Sequence, residues 1–192
     1  MNLKFNTKII QNNHLGHYGV YIFENILEDD YLKLLIKRTI ELTSIDEMNH
    51  CTNVKANMTH YRKLLLDPDF EVLRKYIMSF LKLSILFRTP HWNVMNTNYV
   101  FSDFWAMQFK RGEHTLLHTH HEDNYSGVFC LKSDENTQIH FPDLYPDSHI
   151  LKDNTLYLFP GLCPHSTTAG ETDVSRLSLA FNIKIGKENN EA

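Results

Sequence analysis

The feature that most constrains the fold of this chain is a series of short strand-like segments, separated by turn residues, in its second half. The six segments are Phe104–Phe109, Leu116–His121, Ser126–Lys132, Gln138–Phe141, Thr155–Phe159 and Ser175–Ile185. Short, evenly spaced strands are typical of a two-sheet jelly roll, an architecture that can enclose a ligand cavity. We therefore predict a jelly roll for this half of the chain.

The last of these segments has one apolar face and one polar face. Its apolar positions are Leu177, Leu179, Phe181 and Ile183. They alternate with the polar residues Arg176, Ser178 and Asn182. Because successive side chains of a strand point to opposite faces of the sheet, we expect the apolar face to pack beneath helices. The polar face should then look into the interior of the jelly roll.

Two helices are predicted in the first half of the chain. Asp29 and Asp30 can cap the first, whose apolar positions have helical spacing; these positions are Leu32, Leu35, Ile36 and Ile40. Asp67 at the cap and Pro68 at the first helical position begin the second; its apolar stripe is Leu73, Tyr76, Ile77, Phe80 and Leu81. Helices followed by many strands predict an α+β, mainly β fold. We expect a double-stranded β-helix with the N-terminal helices packed on one sheet.

The length of 192 residues predicts a single domain over 1–192. We divide it into a helical support region at 1–100, the β-helix core at 101–185 and a frayed tail at 186–192. A net charge of −4 without a basic stripe argues against a nucleic-acid partner. Three cysteines without CxxC spacing, no visible signal peptide and no apolar run of membrane-spanning length favour a cytoplasmic protein. Exposed sheet edges would allow a homodimer.

Three histidines are the candidate metal ligands. His118 and His120 are two residues apart and would share one face of a predicted strand. His165 follows the turn at Pro160-Gly161, where the chain re-enters the sheet. Imidazoles that converge from separate strands make a metal site with open coordination positions.

Arg176 and Ser178 are candidates for binding a carboxylate beside this metal. A guanidinium group binds a carboxylate with two parallel hydrogen bonds, and a hydroxyl two residues further along the same strand face can add a third. An arginine on the inward face of an otherwise apolar strand needs an anionic partner. We expect a carboxylate-bearing cosubstrate to be that partner.

The stretch from Trp105 to Asn182 resembles the core of the iron(II)/2-oxoglutarate-dependent oxygenases, in particular a small bacterial and phage group of their prolyl-hydroxylase-like branch. The matching residues are His118-Thr119-His120, Ser126-Gly127-Val128, Phe159-Pro160, His165 and the run from Arg176 to Asn182. The resemblance implies that His118 and His165 bind Fe(II), and that Arg176, helped by Ser178, binds the distal carboxylate of 2-oxoglutarate. It also implies hydroxylation of a substrate by dioxygen, with oxidative decarboxylation of 2-oxoglutarate to succinate. Tyr157 and Asn182 are further candidates for cosubstrate contacts.

One position departs from the common pattern of this superfamily. Non-haem iron oxygenases usually present two histidines and one carboxylate, and the position of the carboxylate is occupied by His120. We predict a site of three histidines, His118, His120 and His165, with Asp123 as the reserve ligand.

Two other functions remain open at this point. Gly112, followed after five residues by His118-x-His120, resembles the first motif of cupins, and Pro160 and His165 have the spacing of the second. The first alternative is therefore a cupin-type metal-dependent dioxygenase or isomerase that does not use 2-oxoglutarate. The second is a non-catalytic module that binds a metal or a small acid. The sequence does not identify the primary substrate, for which we expect a small molecule or a peptide.

Overall fold

The computed structural model describes residues 6–11, 19–45, 48, 52–88, 97–134, 136–144 and 146–186. It contains helix α1 (Asp29–Ile45) and helix α2 (Glu71–Arg88), the latter preceded by a 3-10 turn at Pro68–Phe70. The strands are β1 (Asn6–Gln11), β2 (Gly19–Glu24), β3 (Val54–Lys55), β4 (Asn57–Met58), β5 (Tyr99–Phe109), β6 (His114–Thr115), β7 (Tyr125–Lys132), β8 (Gln138–His140), β9 (Ser148–Ile150), β10 (Thr155–Pro160), β11 (Ser166–Thr167) and β12 (Arg176–Ile185).

These strands form one large sheet and two small ones. The large sheet has the order β1-β2-β10-β7-β12-β5-β4, and its neighbouring strands are antiparallel. The small sheets have the orders β11-β8-β9 and β3-β6. Residues of both small sheets line a common cavity with residues of the large sheet. The mainly β jelly roll that the sequence predicts is confirmed.

Strand β12 lies between β7 and β5, and it separates the helices from the cavity. Its apolar face belongs to the largest core cluster, together with residues of α1 and α2 such as Leu35 and Ile77. On its other face, Arg176 lies opposite Phe109, Ser178 opposite Met107 and Asn182 opposite Asp103. The two faces are therefore used as the alternation of the sequence predicts.

The two helices pack on the large sheet through different kinds of faces. In α2 the predicted apolar stripe is buried apart from the partly buried Tyr76, and the Asp67 carboxylate accepts a hydrogen bond from the Asp69 N–H as the cap of the preceding 3-10 turn. In α1 the predicted stripe is only partly correct, because Ile40 is 43% exposed. The buried face of α1 includes Thr43, whose hydroxyl bonds to the side chain of Gln108 on β5. The buried face of α1 is therefore not purely apolar.

Two predictions about the strands are wrong or incomplete. Leu116–His121 is not a continuous strand, because only His118 forms an isolated bridge, opposite His165, before the chain turns. The N-terminal region is not only helical: β1 and β2 extend the large sheet beyond β10, and β3 and β4 also come from this region. Strand β2 is buried from Gly19 to Phe23. It therefore shows no alternation by which it could be recognised in the sequence.

Two further expectations concern the C-terminal tail and membrane-spanning segments. Of the predicted frayed tail, residues 187–192 lie outside the described residues, and Gly186 donates its N–H to the Asn98 carbonyl. Within the described ranges, neither helix is long and apolar enough to cross a membrane.

Candidate metal centre

His118 and His165 are brought together by the backbone. Each donates its N–H to the carbonyl of the other, at 3.1 Å and 3.0 Å, so the two residues form a single antiparallel bridge. The centroids of their rings are 4.2 Å apart. A loop segment and the residue just before β11 thus hold two imidazoles side by side without a complete strand.

His120 reaches the same place through a tight turn. Its N–H donates to the Gly161 carbonyl at 2.7 Å, and its own carbonyl accepts from the Asp123 N–H at 3.1 Å. A Cβ atom at Gly161 would lie 2.1 Å from the Asp123 carbonyl oxygen and 2.6 Å from that of His120. Only glycine permits this approach. The His120 ring then lies 4.9 Å from the ring of His118 and 5.3 Å from that of His165, between centroids.

The three imidazoles can offer their nitrogens to one ion. One ligand atom from each of His118, His120 and His165 lies within 4.8 Å of the others. Nδ1 of His118 is 2.8 Å from the Leu116 carbonyl, and Nδ1 of His165 is 3.0 Å from the Cys163 carbonyl. A proton on each Nδ1 would satisfy these carbonyls and leave Nε2 unprotonated for a metal, as is usual for metal-binding histidines.

Burial keeps these histidines in the neutral form that binds metals. It lowers the pKa of His120 to about 4, with a smaller effect from the neighbouring His118. Burial also lowers the pKa of His118, and it lowers the pKa of His165 well below the usual value. Protons therefore compete weakly with a metal ion at neutral pH.

Arg176 is a buried cation that forms no ion pair in the described part of the chain, although the charge of Asp134 partly offsets the effect of burial on its pKa. Its side chain is 2% exposed, and its guanidinium group lies 3.7 Å from the centroid of the Phe109 ring. Nη2 donates to the Thr167 hydroxyl at 3.2 Å, whereas Nε and Nη1 have no hydrogen-bond partner. Burial lowers the pKa of Arg176 to about 10, so the group is still charged at neutral pH. Two unused donors on a buried charge are what a bound carboxylate would satisfy.

One cavity between the sheets is lined by the three histidines and by Arg176. Ser178, two residues after Arg176 on β12, also lines this cavity. The walls of this cavity are mostly apolar; they include Val54, Phe109, Val128, Ile139, Leu151 and Phe159. The structure thus brings together five of the residues that the sequence singled out: His118, His120, His165, Arg176 and Ser178.

Three other candidates lie elsewhere. The Tyr157 hydroxyl donates to the Ile150 carbonyl at 3.2 Å, and Tyr157 belongs to an apolar cluster rather than to the lining of the cavity. The Asp123 carboxylate accepts a hydrogen bond from Ser102 at 2.6 Å and lies 3.8 Å from the Lys184 ammonium, outside the histidine group. Asn182 lies at the opposite end of β12 from Arg176. We therefore assign neither Tyr157 nor Asn182 to the cosubstrate.

Sequence reasoning missed two polar residues of the cavity region. Thr167 bonds to Arg176, and Asp103 shares an outer part of the cavity with His118 and His120. A signal for Asp103 was present, because its spacing of two residues from Trp105 places it on the same face of β5 as Trp105, Met107 and Phe109. Thr167 follows His165 by two residues, but a two-residue strand has no periodicity that could be recognised.

Comparisons with known proteins show similarity in structure but not in sequence. No protein-family model matches the chain, and no curated protein matches it. A prolyl-4-hydroxylase from Pseudomonas putida is similar in structure, with a TM-score of 0.60 and 18% identity over 90% of this chain and 96% of that one. The viral collagen prolyl hydroxylase of Paramecium bursaria Chlorella virus-1, in complex with 2-oxoglutarate, gives a TM-score of 0.59 and 13% identity over 85% and 94%.

A third similar structure is HygX from Streptomyces hygroscopicus with nickel and 2-oxoglutarate bound, with a TM-score of 0.56 and 11% identity over 86% of this chain and 82% of that one. All three similarities extend well beyond the β-helix core into the N-terminal half of the chain. At these identities they establish the fold. The chain has the same fold as these three structures, a double-stranded β-helix.

Proposed function

We propose that this protein is a non-haem iron(II) and 2-oxoglutarate-dependent oxygenase that hydroxylates a small molecule or a peptide. One observation carries the proposal: three histidines with ligand atoms within 4.8 Å of one another share a cavity with a buried arginine that has two unused donors. A metal site alone would suit many functions. The unpaired Arg176 adds the requirement for an anion in the same cavity.

The residues present fit both groups. His118, His120 and His165 would hold the iron, which accepts imidazole ligands readily. Arg176, whose Nε and Nη1 have no partners, would hold the distal carboxylate of 2-oxoglutarate. Iron(II) with 2-oxoglutarate and dioxygen supplies the oxidation, in which the keto acid is decarboxylated to succinate and a substrate C–H bond becomes C–OH.

The protein contributes orientation and the exclusion of water. The carbonyls of Leu116 and Cys163 fix the rings of His118 and His165. Thr167 bonds to one end of the Arg176 fork, and the Phe109 ring supports its face. The apolar walls keep bulk water from the space between the histidines and Arg176, which strengthens the attraction of a carboxylate to the guanidinium group.

The third ligand, His120, replaces the carboxylate that is usual in non-haem iron oxygenases. Asp123 is engaged by Ser102 and Lys184, and it would have to give up both to reach the histidines. His120 already lies beside His118 and His165 without rearrangement. These contacts support a ligand set of three neutral imidazoles.

Arg176 also separates the proposal from its alternatives. A cupin-type dioxygenase or isomerase that does not use 2-oxoglutarate has no need for a buried guanidinium group with two free donors in the cavity. A non-catalytic module that binds a metal or a small acid would use the same residues, but it would never form succinate.

The proposal is tested by anaerobic titration of the Fe(II)-loaded protein with 2-oxoglutarate. We expect a saturable visible charge-transfer band of the chelated keto acid, absent in His165→Ala and weakened in Arg176→Gln. Lys132→Gln, at an exposed position outside the cavity, is the control. Iron binding without a band would favour the cupin-type alternative. A band without succinate formation in air, across a panel of candidate substrates, would favour the binding module.

A further inference from the structure

The cavity extends past the histidines into an outer bowl with a volume of about 380 Å³. This outer bowl shares Val54, Trp105, His118 and His120 with the inner cavity, whereas neither Arg176 nor Ser178 lines it. Its further lining residues are Asn53, Tyr61, Asp103, Thr119 and Asn182. Along β12, Asn182 is six residues from Arg176, a distance of about 20 Å in a strand. The bowl is thus the end of the cavity remote from Arg176.

The outer bowl carries the opposite charge to the Arg176 end. Of its described lining residues, Asp103 is the one acid, and none is a lysine or an arginine. Asp103 forms no ion pair with any residue that the structure describes. Its carboxylate accepts one side-chain hydrogen bond, from the Asn182 amide at 3.3 Å. A carboxylate has about four acceptor positions, so most remain for a ligand.

Asn182 holds this carboxylate in place rather than neutralising it. The Ser126 hydroxyl donates to the Asn182 side-chain oxygen at 2.5 Å, and this bond turns the amide nitrogen toward Asp103. Ser126 and Asn182 are 1% and 5% exposed. Two buried neutral residues thus fix the position of an acid that lines the bowl.

The wall next to Asp103 is aromatic. The rings of Tyr61 and Trp105 meet edge to face, with centroids 5.3 Å apart. Trp105 is 4% exposed, and its indole N–H is buried without a hydrogen-bond partner among the described residues. Aromatic rings beside a carboxylate favour cations, since the ring faces attract positive charge. The unused indole donor additionally suits a ligand with a hydrogen-bond acceptor.

We propose that the outer bowl binds the primary substrate through a protonated amine, which pairs with Asp103 against Tyr61 and Trp105. This inference rests on the proposed function, because the C–H bonds that would be oxidised are those next to the histidines in the same bowl. Opposite charges at the two ends of the cavity also determine which ligand binds at which end. 2-Oxoglutarate is repelled by Asp103 and attracted by Arg176, whereas the amine is attracted by Asp103 and repelled by Arg176.

The test uses small probes and does not require the natural substrate. Protein loaded with Ni(II) and 2-oxoglutarate is titrated with n-butylammonium, 1-butanol and butyrate, and the indole ¹⁵N–¹H signals are followed by NMR. The chain has two tryptophans, Trp92 and Trp105, and Trp105→Phe assigns the signals. We expect n-butylammonium to shift the Trp105 signal saturably, and to bind more tightly than 1-butanol. Butyrate should bind most weakly.

Variants of the acid complete the test. Asp103→Asn should weaken n-butylammonium about tenfold, as the loss of a charge-assisted bond implies, whereas Asp103→Glu should retain the preference for the cation. Asp147→Asn, at an exposed position outside both parts of the cavity, should change nothing. The inference is overturned if no probe binds, if 1-butanol or butyrate binds as tightly as n-butylammonium, or if Asp103→Asn leaves the affinity unchanged.

The two proposals fail separately. If the charge-transfer band with Fe(II) and 2-oxoglutarate forms but the ammonium probe does not bind, the amine site is wrong and the oxygenase proposal stands. If the probe binds through Asp103 but the band never forms, the protein binds cations and the proposed function is wrong.

Discussion

Replacing Arg176 by methionine should abolish binding of 2-oxoglutarate and yet stabilise the ligand-free protein. The reason is that Arg176 is buried as a cation without a salt bridge, which opposes folding until the cosubstrate arrives. Burial lowers the pKa of Arg176 from 12.5 to about 10, even though the charge of Asp134 acts in the opposite direction. At about 1.36 kcal/mol for each pKa unit, this shift corresponds to a destabilisation of the folded state by roughly 3–4 kcal/mol.

Favourable contacts of Arg176 offset part of this penalty. Its stacking on Phe109 contributes about 1 kcal/mol, and its hydrogen bond to Thr167 contributes about 1.5 kcal/mol. The Thr167 hydroxyl would still accept a hydrogen bond from the Thr115 N–H. Methionine can fill the apolar space beside Phe109. The net gain in unfolding free energy for Arg176→Met is therefore about 1 kcal/mol, or about 2–4 °C in Tm for a chain of this size.

Urea and thermal unfolding of the metal-loaded protein, with and without 2-oxoglutarate, measure both effects. Wild type should gain about 2.7 kcal/mol at a cosubstrate concentration of 100 times Kd, and Arg176→Met should gain nothing. Arg74→Met is the matched control. Arg74 donates to the carbonyls of Leu64 and Asp67, so its loss should destabilise the protein without affecting the response to 2-oxoglutarate. If Arg176→Met destabilises the ligand-free protein by about 2 kcal/mol or more, Arg176 is a structural residue and the reasoning is refuted.

Three further predictions concern the histidines. His120→Asp should keep the Ni(II) affinity within about tenfold of wild type, whereas His120→Ala should lose more, because aspartate still offers a ligand atom. Calorimetric titration measures both affinities, and equal losses in the two variants would show that His120 is not a ligand. Gly161→Ala should weaken Ni(II) binding in the same assay, since its Cβ would displace the His120 backbone, and unchanged affinity would contradict the assigned geometry. The metal-free protein should lose stability as the pH falls below about 6.5. Below this pH His120 and His165 become protonated in the unfolded state, whereas in the folded state their lowered pKa values keep them neutral. Urea unfolding at pH 7.5 and pH 5 should show this loss, smaller in His165→Gln, and an equal loss in that variant would refute it.

The sequence predicted the β-helix core well because its strands are exposed to different surroundings on their two faces. Strand β12 faces helices on one side and the cavity on the other, so its alternation was legible and placed Arg176 and Ser178 in the interior. Helix α2 was predicted by the same kind of contrast. Strand β2 was missed because both of its faces are buried, and its residues therefore read as one apolar run.

The convergence of the three histidines was predicted for a reason that is partly wrong. His118 and His120 do converge, but not because they share a strand face, since only His118 forms a bridge. The turn closed by Gly161 brings His120 back, and such a turn depends on the tertiary hydrogen bonds of Gly161 with His120 and Asn124. The contacts of Tyr157 and Asp123 could not be predicted for a similar reason. Their partners, Ile150, Ser102 and Lys184, are chosen by the packing and have no fixed spacing in the sequence.

The central claim, that three histidines and Arg176 form one site for a metal and 2-oxoglutarate, is tested most directly by a crystal structure with Ni(II) and 2-oxoglutarate. We expect the metal on His118, His120 and His165, the keto acid chelating it, and the distal carboxylate bound to the guanidinium group of Arg176. A metal bound elsewhere, or a keto acid that leaves Arg176 without a partner, would contradict the account.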